Sequence, residues 1–177
     1  MRRVAIIVIS LLMLLGLAGC NKVLGGAVLE KFGMEFTSQI EMLEKALSID
    51  LDDLTDKHIK SIYSHTDENG YDLTIQYIDL DGAGEVVESD IANNKNWYAL
   101  PLTNTVQELL QASKANAQYD FEGIEEGYYV LSGVDFGKSE YDFNINNYDN
   151  WYAFQIGIWD SNAETLYYIS ITDQSKS

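Results

Sequence analysis

Two short segments of this chain set indole rings beside carboxamides: Asn93-x-x-Asn96-Trp97-Tyr98-Ala99 and Asn147-x-x-Asn150-Trp151-Tyr152-Ala153. Flat aromatic faces next to amide donors and acceptors suit sugar rings and peptide backbones, through stacking and hydrogen bonding together. Trp97, with Asn96 and Tyr98, lies in the more polar of the two loops, so these three residues are the expected ligand contacts. Trp151 and Tyr152 open an alternating apolar run and are expected to pack as strand residues. A second internal similarity, YDLTIQYIDLDG with WYAFQIGIWDSN, falls at a different offset, which argues against a simple duplication.

Other reactive residue types are sparse or badly spaced. His58 and His65 are the only histidines. Seven residues apart, they lack the four-residue spacing that lets two imidazoles hold one metal from adjacent helical turns. No Gly-x-Ser-x-Gly elbow and no glycine-rich phosphate loop occurs. Carboxylates are plentiful, but nothing selects a pair for hydrolysis, so no catalytic residue, metal ligand or cofactor is assigned. The stretch Asp79–Asp90 partly resembles an EF-hand calcium loop, with acids at loop positions one, three and twelve and glycine at six. Ala83 supplies no side-chain oxygen at position five, Asp90 replaces the longer glutamate at twelve, and the flanks read as strands. No tight calcium site is expected there.

The chain's only cysteine is Cys20, in Leu17-Ala18-Gly19-Cys20. Arg2 and Arg3 precede an apolar run from Val4 to Leu15, too short for the roughly 18 residues that span a bilayer. Together these residues resemble the export signal and lipobox of bacterial lipoproteins. The resemblance implies that residues 1–19 are removed and that Cys20 receives a diacylglyceryl thioether, becoming the mature N-terminus. It also accounts for a lone thiol in an exported chain, which has no disulfide partner. A partner membrane reached through lipid on Cys20, at the extracytoplasmic face, follows from the same resemblance. Asn21 rather than aspartate after the cysteine leaves a Gram-positive membrane or a Gram-negative outer membrane open.

Charge narrows the partners further. The chain has 28 acidic residues against 11 lysines and arginines, a formal net charge of −17. Both arginines leave with the signal, so the remainder is more acidic still. Such a surface repels nucleic acid and offers no guanidinium fork for phosphate. A hydrophobic share of 46% argues for a packed domain rather than disorder.

Residues 20–33 read as a short tether, and residues 34–177 as one acidic domain. Ser38-Gln39-Ile40-Glu41 has capping-box spacing, and Ile40, Leu43 and Leu47 continue as one helical stripe that fades near Ser48. Residues 55–65 fit helix or strand. Asn69-Gly70 marks a hairpin turn, followed by Tyr71, Leu73, Ile75 and Tyr77 alternating with polar residues as a half-buried strand. Glu85–Asp90 reads as a second strand. Thr105–Glu108 again has capping-box spacing, ahead of Val106, Leu109 and Leu110 on one face. Three further strands run through 128–136, 152–158 and 166–172. The reading is an α+β fold, two amphipathic helices covering one face of a mostly antiparallel sheet. A non-enzymatic envelope module binding a protein, peptide or glycan is the expected function. The alternatives are a surface hydrolase using two carboxylates, or an accessory subunit of an envelope complex.

Overall fold

The computed structural model describes residues 38–51, 54–66, 71–80, 82–135, 138 and 140–173. The segments expected to be export signal and tether, Cys20, Asp81 and the expected Asn69-Gly70 turn lie outside them. The sequence-level fold class holds: helices pack on an antiparallel sheet. In chain order the elements are α1 (Gln39–Leu47), β1 (Ile59–Thr66), β2 (Tyr71–Ile78), α2 (Gly84–Asn93), β3 (Tyr98–Ala99) and α3 (Asn104–Ala112). Three strands follow, β4 (Gly127–Asp135), β5 (Trp151–Asp160) and β6 (Thr165–Asp173). The sheet has six strands in the order β1-β2-β6-β5-β4-β3.

Local chemistry explains most boundaries. Ser38 caps α1, its Oγ accepting from the Glu41 amide at 3.1 Å. Ser48 closes that helix in the left-handed region, φ 57°, with its own amide on the Glu44 carbonyl. The ambiguous stretch 55–65 resolves into one short 3-10 turn, Asp56–His58, and then β1. Helix α3 starts two residues earlier than its capping-box spacing indicates, with Thr103 as N-cap.

Glu85–Asp90 is helix, not strand. The residues that decide it are Gly84, Val87 and Ile91, all buried, while Val86 is 67% exposed. Inward positions at i, i+3 and i+7 are helical spacing, and the adjacent pair Val86-Val87 hides it in a short window.

The helices also divide between the two faces of the sheet rather than sharing one. On the first face, Leu43 and Leu47 of α1 and Val87 and Ile91 of α2 pack with Ile78, Trp97, Val130, Trp159 and Tyr168. On the second, Val106 and Leu110 of α3 pack with Ile75, Leu131, Trp151, Phe154, Ile156 and Ile169. Covering both faces buries what alternation marks as the solvent side. Thr74 and Gln76 of β2 are 7% and 6% exposed.

Candidate functional site

The three residues expected to meet a ligand are largely spent on the fold. Trp97 is buried rather than presented by its loop, and its Nε1 donates to the Leu47 carbonyl at 2.8 Å. Asn96 Nδ2 donates to Ser48 Oγ at 3.0 Å, and Asn94 Nδ2 donates to the Ser48 carbonyl. Trp97 and Asn94 thereby satisfy two of the carbonyls that a helix leaves open at its C-terminus, and Asn96 holds the Ser48 hydroxyl beside them. The Asn-x-x-Asn-Trp segment is thus the clasp of α1. Tyr98 keeps an exposed ring, 46% accessible, tilted against Tyr129 at 5.6 Å between centroids.

The second copy of the motif behaves alike. Trp97 N donates to the Asn94 carbonyl and Trp151 N to the Tyr148 carbonyl, so each tryptophan closes a four-residue turn. Each ring then lies over a glycine of a central strand: Trp97 over Gly157 on the α1 face, Trp151 over Gly133 on the α3 face. The two histidines stand apart, His58 bonded to Thr55 in the 3-10 turn and His65 beside the Tyr63 ring.

What sequence patterning missed is a polar row on the α1 face. Ser64, Thr74, Ser170, Gln155 and Ser132 stand in register across β1, β2, β6, β5 and β4. One step along the strands, Gln76 is paired with Tyr168. None of these side chains carries a charge, and all but Ser64 are buried. The ends of the row are engaged: Ser132 Oγ donates to the Ala46 carbonyl of α1 at 2.6 Å, and Ser64 Oγ meets Thr74 Oγ1 at 3.4 Å.

The centre is not. Tyr168 OH donates to Gln155 Oε1, but Gln155 Nε2, Gln76 Oε1 and Tyr141 OH are buried with no protein partner. Most buried polar groups in folded proteins are paired, and leaving one unpaired costs about 1–3 kcal/mol. Burial holds both the Tyr141 and Tyr168 hydroxyls above the usual tyrosine range, each raising the proton's affinity because a phenolate would be poorly solvated there. For Tyr141 the neighbouring Tyr168 adds to this.

No family model, curated protein or solved structure matches this chain. The site therefore has to be read from its own chemistry. Uncharged donors and acceptors, buried and held on strands, can recognise a neutral polar group. Among the described residues no three metal-binding side chains cluster.

Proposed function

We propose that this protein is a lipid-anchored, extracytoplasmic binding module without enzymatic activity, tethered through Cys20 and taking an uncharged polar ligand on the α1 face of its sheet. The observation that carries the binding reading is that three buried groups without a protein partner, Gln155 Nε2, Gln76 Oε1 and Tyr141 OH, belong to residues each linked to Tyr168, by a hydrogen bond, by strand register and by electrostatic interaction respectively. Groups that oppose stability are retained where they serve a ligand. The anchor reading rests on the Leu17–Cys20 motif and the single thiol.

Two experiments test it. Cys20→Ser should abolish lipid labelling and move the protein from the membrane fraction to the soluble one. Unchanged membrane attachment would refute the anchor. Gln76→Met should raise the melting temperature, because an apolar side chain of similar length removes a buried acceptor with no protein partner. A gain of about 1 kcal/mol corresponds to roughly 2–4 °C in a domain of this size. A drop of several degrees would instead make the amide a structural cross-link, and the binding reading would fall.

A further inference from the structure

The same site defines which neutral group it takes. This inference rests on the binding reading above and sharpens it to a ligand class. We propose that the centre of the polar row receives a single amide group of a small uncharged ligand, with Gln155 Nε2 donating to the amide carbonyl and Gln76 Oε1 accepting the amide N–H.

Gln155 has spent its oxygen on the Tyr168 hydroxyl, and its nitrogen remains, so it can only donate. Gln76 presents an unused carbonyl oxygen, which can only accept. One free donor and one free acceptor on the same sheet face are the complement of an amide, which supplies an acceptor and a donor on adjacent atoms. A carboxylate would meet Gln76 with a second acceptor, and an ammonium would meet Gln155 with a second donor. Among the described residues no buried side chain carries a charge, so either ion would also make a costly transfer.

The two glutamines share one face of the sheet. Gln76 lies on β2 and Gln155 on β5, with only β6 between them. The register sets them two strand spacings and two residues apart, about 12 Å between Cα atoms. Tyr168 and Ser170 of β6 stand between them, each in register with one of the two glutamines. Tyr141, whose hydroxyl can donate or accept, flanks the Tyr168 side. Gln155 is 1% exposed and Gln76 6%, so both amides are shielded from bulk solvent.

The test is a titration of the full mature chain followed through the glutamine side-chain NH2 signals by heteronuclear NMR, with the Gln155 pair assigned by its loss in Gln155→Met. Acetamide should shift that pair saturably, and acetate, its charged isostere, should bind at least about tenfold more weakly, a difference of about 1.4 kcal/mol. Two further probes separate the source of the amide. Tighter binding of N-acetylglucosamine than of acetyl-alanine methylamide assigns an acetamido sugar, and the reverse order assigns a peptide bond. In Gln76→Met, which should fold at least as well as the parent, the acetamide shift should be lost while the Gln155 signals persist. Acetate binding as well as acetamide would overturn the proposal. So would Gln155 signals that no amide moves, the behaviour of groups satisfied by ordered water only. The Gln76→Met melting curve reports on the site itself, so a failed amide titration with a raised melting temperature rejects the ligand class and leaves the binding site standing.

Discussion

Trp97→Ala should destabilise the protein by about 3–5 kcal/mol, as much as Trp151→Ala. The two losses have the same origin. Each indole is buried, each closes a short turn, and each lies over a strand glycine that leaves room for it. A methyl group built on Gly157 would stand 2.9 Å from Trp97 Cη2 and 2.7 Å from Leu47 Cδ2, so ring, helix and strand fill one space. Truncating Trp97 opens that space and also strips the Leu47 carbonyl of the donor that terminates α1. Urea denaturation followed by far-ultraviolet circular dichroism measures both variants. A Trp97→Ala midpoint within about 1 kcal/mol of the parent would show that the ring contributes little to the core.

The second large effect is expected at Gly133. A Cβ there would stand 2.1 Å from Trp151 Cδ2 and 2.2 Å from Cε3. These are atoms of a rigid ring system, not the end of a flexible chain. The ring is also held, with Nε1 on Asp142 Oδ2 at 3.3 Å and Phe154 at 5.9 Å between centroids. Nor can the backbone give way, because Gly133 exchanges both its hydrogen bonds with Asp142, at 2.9 and 2.8 Å, while pairing with Phe154 on its other side. Gly133→Ala should therefore cost about 3 kcal/mol, at the upper end of ordinary overpacking. The double variant Gly133→Ala/Trp151→Ala provides the check, since removing the ring removes the clash. Its loss should fall well short of the sum of the singles. Additive losses would place the strain elsewhere.

These two tryptophans also show where sequence reading succeeds and where it stops. Period-two and period-four patterns located α1, β2, β5 and β6 because those elements present one apolar stripe or alternate cleanly. They missed α2, whose inward residues are only Gly84, Val87 and Ile91, one of them without a side chain. For Trp97, polar neighbours Asn94, Lys95 and Asn96 marked a solvent loop, yet two of those asparagines turn inward to close α1. Local composition cannot show that a helix end 46 residues earlier needs donors. The polar row was hidden for a related reason. Thr74, Gln76, Gln155 and Ser170 occupy the alternate positions that mark the wet side of a strand. Only the placement of helices on both faces makes them buried.

The strand order has a kinetic consequence. The strand that joins the two halves of the sheet, β6, is the last of the six in the chain, and residues as far apart as Ile75 and Ile169 stand side by side. A polypeptide emerging amino end first can pair β1 with β2, and β4 with β5, but each pair then waits with an open edge. Until β6 inserts between β2 and β5, both halves display unpaired backbone and half of each apolar face. Native order is thus acquired late and all at once, with slow, topology-limited folding and a window in which the halves are open to capture by other strands.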